Sequence, residues 1–268
     1  MADLRSSRHQ FRSPPVVETA LAIQFAELRN FRTVHFGHFH RTIQDRFPVC
    51  EDHPRAEPIS EEFPTVPRQL MLQLIQKKHG PERVWFRDNV EGTLLVQLQP
   101  DRFSLNWRQA TPGGDYPSFM QNADVFLREF QLFQLFCGEQ GIGPVTPNLC
   151  EVVYINHIIP VADESAVECF GAVFTGLSWE QSGNTLPLPE LVALNRVYPI
   201  SGHKGRLYAE AAIARERQGK DFVLLKMTAR VLHGESDNIQ DSLQLAHDQV
   251  VDGFASLTTN DARSQRWG

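Results

Sequence analysis

From Pro14 to Phe25 the chain reads PPVVETALAIQF. Val17, Leu21, Ile23 and Phe25 fall on one parity, and Glu18, Ala20, Ala22 and Gln24 on the other. That alternation predicts a β-strand with one apolar face. In GHFHRTIQDRFP, Phe39, Ile43 and Phe47 recur at helical spacing before Pro48, so a helix is expected from about Gly37. PVCEDHPRAEPISEEFPTVP holds five prolines and many acids and predicts a long irregular loop. Four strand-like stretches follow: QLMLQLIQ, RVWFRD, TLLVQLQ and FSLNWRQ. The last alternates cleanly, Phe103, Leu105 and Trp107 against Ser104, Asn106 and Arg108. A helix is expected from Ser118 to Cys137, with Phe119, Ala123, Phe126, Phe130, Phe133 and Cys137 on one stripe and Gly138 as its C′ residue.

The second half repeats this order. NLCEVVYINHI resembles the first strand, and aligning the two sets Glu18 on Glu151 and Gln24 on His157. A short helix in DESAVECFG, a loop to about Pro189, and strands in LVALNRVYPI, GRLYAEAAIARE and DFVLLKMTARVL come next. A final helix uses Ile239, Leu243, His247, Val250, Phe254 and Leu257. Residues 1–13 are polar and expected to fray. Residues 14–146 and 147–268 are then two β-α-β4-α repeats packed as one unit, an α+β chain. The order resembles the duplicated arrangement of TATA-box-binding-protein-like and helix-grip folds. That resemblance implies an antiparallel sheet with long helices on one face and the other face open.

Composition narrows the function classes. The chain is 41% hydrophobic and 22% charged with a net charge of −6, ordinary for a globular protein. Residues 1–146 hold 16 basic and 17 acidic side chains, and residues 147–268 hold 10 and 15. Neither half is basic, which disfavours nucleic acid as a partner. No apolar run approaches the ~20 residues of a membrane span, and the N-terminus has no apolar signal region. Cys50, Cys137, Cys150 and Cys169 are widely spaced, the pattern of free thiols in a reducing, cytoplasmic setting. Cys137 and Cys150 fit an apolar core.

Motif chemistry is sparse. The nucleophile-elbow, HExxH, phosphate-loop and EF-hand patterns are absent, so no cofactor is expected. His35, His38 and His40 crowd the first helix start, but no regular geometry brings the three together. His38 with Asp45 is the best metal pair, two ligands where structural zinc takes four. Capping or solvated imidazoles fit better, and His247 fits a hydrogen-bonded core position. The sharper constellation is the sheet face away from the helices. Parity places Glu18, Ala20, Ala22 and Gln24 there, with Glu151, Val153, Ile155 and His157. Neighbouring strands add Arg83, Trp85 and Arg87, Gln97 and Gln99, Ser104, Asn106 and Arg108, and Lys226, Thr228 and Arg230. Glu18, Gln24, Arg83, Trp85, Asn106, Arg108, Glu151 and His157 are the candidate binding residues around a small-residue floor. If the two first strands are neighbours, Glu18 and Glu151 would approach as a carboxylate pair, or pair with Arg83 or Arg108.

Several segments resemble an uncharacterised, sporadically distributed prokaryotic family of about this length. They are Pro14-Pro15-Val16-Val17-Glu18, Phe47-Pro48, Arg83-Val84-Trp85-Phe86 and Phe103-Ser104-Leu105-Asn106-Trp107. Asn148-x-Cys150-Glu151-Val152-x-Tyr154-Ile155-Asn156-His157 is the most specific, and His247, Phe254, Thr258 and Trp267-Gly268 complete the pattern. The family brings no established activity. Its patchy distribution implies an accessory system of the defence or toxin–antitoxin kind. The first expectation is a non-enzymatic binding or interaction protein using the sheet face, with a protein partner, a second copy of itself or, as the lesser alternative, a small-molecule ligand. The alternative is an enzyme acting on a small molecule or nucleotide, with Glu18, Glu151 and His157 as acid–base groups.

Overall fold

The computed structural model describes residues 11–61, 63, 82–88, 92–111, 114, 116–161, 163–177, 187–216 and 219–268. It is an α+β molecule. In chain order its elements are β1 (Val16–Phe25), α1 (Thr33–Ile43), β2 (Val49–His53), β3 (Arg83–Arg87), β4 (Leu94–Gln99), β5 (Arg102–Arg108), α2 (Phe119–Glu139), β6 (Pro147–Ile158), α3 (Ala166–Val173), β7 (Ala193–Ile200), β8 (Gly205–Arg215), β9 (Asp221–Leu232), α4 (Ile239–Leu257) and α5 (Asn260–Arg266). The strands form one antiparallel sheet in the order β2-β3-β4-β5-β1-β6-β9-β8-β7. The stretch QLMLQLIQ lies outside the described residues, as do residues 1–10. Of the expected frayed end, Arg12 and Ser13 donate backbone N–H groups to the Trp267 carbonyl, and Phe11 meets Phe254 edge-on.

The core lies between the sheet and the helices. Ser118 caps α2, accepting the Gln121 N–H, and the stripe read from the sequence is buried. Phe130 and Phe133 pack on Phe103 and Phe25 at ring distances of 5.6 and 5.8 Å. α4 lies over β6 and β9. Asn238 caps it through bonds to the Gln240 and Asp241 N–H groups. Cys137, Cys150 and Cys169 are buried free thiols, and Cys50 is exposed.

Several boundaries differ from the sequence reading. α1 begins at Thr33, four residues before Gly37, because His35 Nδ1 accepts the Arg32 N–H at 2.8 Å and caps the helix from inside. His40 bonds the Phe47 carbonyl at 2.9 Å and stacks on Phe86. The histidine cluster thus finishes the two ends of α1. α2 runs through Gly138 to Glu139, and the left-handed turn falls at Gly141. The proline-rich stretch contains β2, which among the described residues is an edge strand paired with β3. A register shift between Val16 and Glu18 turns Val16, not Val17, into the core.

Candidate functional site

The parity of the central strands assembles the sheet face away from the helices as expected. One row of paired residues crosses it from Trp85 through Gln97, Ser104, Ala22, Glu151 and Arg230 to Arg206. The adjacent row carries Gln99, Arg102 and Gln24. On the other side run Asn106, Ala20, Val153, Thr228 and Tyr208. Ala20, Ala22 and Val153 make a low floor, and the longer polar side chains stand around it.

The expected carboxylate pair does not form. β1 and β6 are neighbours, but antiparallel, so Glu18 stands opposite Ile155 and Glu151 opposite Ala22. Four residues of strand separate them, about 13 Å. Glu18 accepts from Asn106 Nδ2 at 3.1 Å, and Glu151 accepts from Arg230 Nε at 2.7 Å, in place of Arg83 or Arg108. His157 sits at the far end of β6 against Phe222, at 4.3 Å between rings. Burial lowers its pKa, with nearby Arg108 acting in the same direction and Glu216 against it. The structure therefore does not bring Glu18, Glu151 and His157 together.

Part of the face is covered by the chain itself. Residues 54–61 cross the strands outside any helix or strand, with Pro54 and Pro58 restricting the backbone. Their peptide groups are met by side chains. The Gln99 amide accepts the Ala56 N–H at 3.2 Å and donates to the Ala56 carbonyl at 3.1 Å. The Gln24 amide accepts the Ile59 N–H at 2.7 Å and donates to the Ile59 carbonyl at 3.0 Å. Three extended residues span about 10 Å. That matches the two strand spacings, about 10 Å, from β4 to β1. Each glutamine thus takes the place of a neighbouring strand for one residue of the segment.

Charged contacts hold both ends. Arg55 bonds Glu27 Oε1 at 3.0 Å and Asp101 Oδ2 at 2.5 Å. The Glu61 side chain is fully buried. It accepts from Arg206 Nη1 at 2.5 Å, from Arg230 Nη1 at 3.4 Å and from the Tyr208 hydroxyl at 2.7 Å. Burial raises the Tyr208 pKa, and the Glu61 carboxylate raises it further. Beyond Glu61, the Phe63 ring lies 3.9 Å from the Arg206 guanidinium carbon.

Beneath Ala56 a chamber of about 240 Å³ remains over the alanine floor. Glu18, Arg83, Asn106 and Glu151 of the candidate set line it, joined by Arg102. Gln24 stands beside it and supports the crossing segment. Trp85 stacks on His53 at 3.7 Å, toward the sheet edge. Arg108 and His157 line a separate cavity of about 1520 Å³ at the other end of the sheet, which Glu18 also borders. That cavity contains a buried relay: Tyr116 and Tyr154 hydroxyls are 2.7 Å apart, and Tyr154 bonds His247 Nδ1 at 3.0 Å. His247 is therefore the hydrogen-bonded core residue its position suggested.

Burial pulls the His247 pKa down to about 4, below the ordinary 6.5. The unfolded chain then takes up this proton first as pH falls. The contribution of neutral His247 is complete above about pH 6.5 and is lost between there and about pH 4. Its size is about 3 kcal/mol. Urea unfolding across that window should show a shallower loss of stability in His247→Gln than in the native protein.

Sequence reading missed Arg102, Arg206, Tyr208 and Glu61. The first three carry the parity signal that found their neighbours. Arg102 lies one residue before the strand start inferred at Phe103. Glu61 lies in a segment without periodicity, and nothing local marks it. Among the described residues no three His, Cys, Asp or Glu side chains converge as metal ligands. Among the described residues no helix is long and apolar enough to cross a membrane. Comparison with known proteins brings no counterpart: no family model, curated protein or solved structure matches the chain.

Proposed function

We propose that this is a peptide-binding interaction protein whose site is the sheet face away from the helices. One observation carries the reading: that face already holds an extended polypeptide, the chain's own residues 54–61. Gln24 and Gln99 engage only backbone groups of the segment. Such contacts are independent of side-chain sequence, as in strand addition at a sheet edge. The end contacts supply selectivity, for a base near the start of the segment and an acid six residues later. A partner protein carrying that pattern, in the accessory system implied by the family resemblance, would compete with the tethered copy. Tethering raises the local concentration of the chain's own segment, so a partner must displace it.

The finer fold assignment belongs to the same proposal: a duplicated β-α-β4-α unit of the TATA-box-binding-protein-like kind. Its support is the order outward from the β1–β6 pair, β5-β4-β3-β2 on one side and β9-β8-β7 on the other, with three described strands in the second half where the repeat has four. The alignment that sets Glu18 on Glu151 also sets Ala20 on Val153, and those two face each other across the pair.

The test is a titration of the labelled peptide HPRAEPISEEF, residues 53–63, into Glu61→Ala protein, whose tethered copy has lost its anchor. Saturable binding is expected, weakened about tenfold or more by Gln24→Ala with Gln99→Ala. Absence of binding, or binding indifferent to the two glutamines, would sink the proposal.

A further inference from the structure

We infer that the chamber under Ala56 is a subsite for an anionic side chain, a carboxylate or phosphate carried by the bound segment at the position Ala56 occupies. The inference rests on the peptide-binding reading of the sheet face and adds what the partner segment must contain.

The tethered segment presents only the Ala56 methyl group to this chamber, too small to fill about 240 Å³. Ala56 is itself part of the lining, and the paired bonds from Gln99 fix its backbone over the opening. Below it stand Arg83 and Arg102. Among the described residues neither guanidinium has a carboxylate within ion-pair distance. Arg83 Nη1 donates to Gln97 Oε1 at 3.3 Å, and its buried Nε has no partner. Arg102 Nη2 donates only to neutral oxygens, Gln24 Oε1 at 3.2 Å and the Glu57 carbonyl at 3.4 Å.

The two cations act against each other. Burial lowers the Arg83 pKa first, and the nearby charge of Arg102 lowers it further. Burial also dominates at Arg102, where Glu151 and Asp101 oppose the shift and Arg230 adds to it. The chamber's own carboxylates are engaged elsewhere, Glu18 by Asn106 and Glu151 by Arg230. An anion descending from the Ala56 position would supply the missing charge and accept from the orphaned N–H. Arginine forks favour carboxylate and phosphate oxygens. A chamber of about 240 Å³ accommodates a glutamate or phosphoserine side chain but not a second peptide segment.

The first arm places the anion within the protein itself. Ala56→Glu is expected to melt about 3 °C or more above Ala56→Gln, which has the same shape without the charge. That gain should vanish when Arg83→Met is added. Equal melting of the two variants, or a lower value for Ala56→Glu, overturns the subsite. The second arm titrates peptides spanning residues 53–63, with alanine, glutamate or phosphoserine at position 56, into Glu61→Ala protein. The anionic peptides should bind about tenfold tighter than the alanine peptide. The order of the two shows whether carboxylate or phosphate is the better fit. Equal affinities would overturn the subsite while leaving the peptide reading intact. Failure of all peptides, with Ala56→Glu still stabilising, would overturn the peptide reading and leave the anion subsite standing.

Discussion

Glu61→Ala is expected to open the sheet face without unfolding the sheet. The carboxylate it removes is fully buried and shared by Arg206, Arg230 and Tyr208. Breaking a buried ion pair from one side costs about 3–5 kcal/mol, because the remaining charge keeps its desolvation penalty. Here the segment has an alternative to holding the strained arrangement: it can lift. Its other anchors are Arg55, which is partly exposed, the four amide bonds from Gln24 and Gln99, the bond from Arg102 to the Glu57 carbonyl, and the Phe63 ring against Arg206. Arg230 retains Glu151 at 2.7 Å, so β6 and β9 keep their cross-strand pair. Trypsin should therefore cut the Arg55–Ala56 bond in the variant at a protease level that leaves it intact in the native protein. The helix core should stay folded, with near-native far-UV circular dichroism. Unchanged resistance at Arg55 would mean that Glu61 does not hold the segment down.

Gly205→Ala should have the largest effect on overall stability. Gly205 opens β8 at φ 150°, where L residues are rare, and pairs with Val231 of β9. A Cβ built there collides with the Arg230 carbonyl oxygen, a backbone atom that cannot turn aside. Relief requires β8 to move off β9. Arg206 and Arg230 face each other across that pair and share Glu61, so the shift would reach the site. Overpacking and backbone strain together are expected to cost about 3 kcal/mol or more. Denaturant unfolding should show a lower midpoint. The variant should also lose protection at Arg55, because the cradle for Glu61 is displaced. A native midpoint would contradict the tight approach of the two strands.

These two predictions rest on features of unequal visibility in the sequence. Which side chains share the sheet face was readable, because strand parity alone sets it. The alternation in NLCEVVYINHI placed Glu151, Val153, Ile155 and His157 together. Strand direction carries no such period. Glu18 and Glu151 match when the sequences of β1 and β6 are aligned, yet antiparallel pairing sends them to opposite ends of the floor. The bulge near Val17 reverses one residue of a pattern that is otherwise regular. The α1 boundary was hidden because a histidine nitrogen, not a serine or aspartate at the cap, satisfies the first amide. α5 is short and polar, so it leaves no apolar stripe to read. The crossing segment was the least legible part. Its structure comes from contacts dozens of residues away in sequence, glutamine amides and an arginine cradle, and its prolines spoke only for a loop.

The central claim is that residues 54–61 occupy a peptide site from which another segment can displace them. Backbone hydrogen exchange at Ala56 and Ile59, followed while the free peptide of residues 53–63 is added in excess to the native protein, tests it most directly. Both amides are bonded only by glutamine side chains, so their protection reports occupancy of the face by the tethered copy. The account predicts slow exchange in the protein alone and faster exchange as the free peptide takes the site, with Leu105 and Val152 in the central strands unchanged. Protection at Ala56 and Ile59 that stays constant at saturating peptide, or is lost only together with that of the central strands, would contradict it.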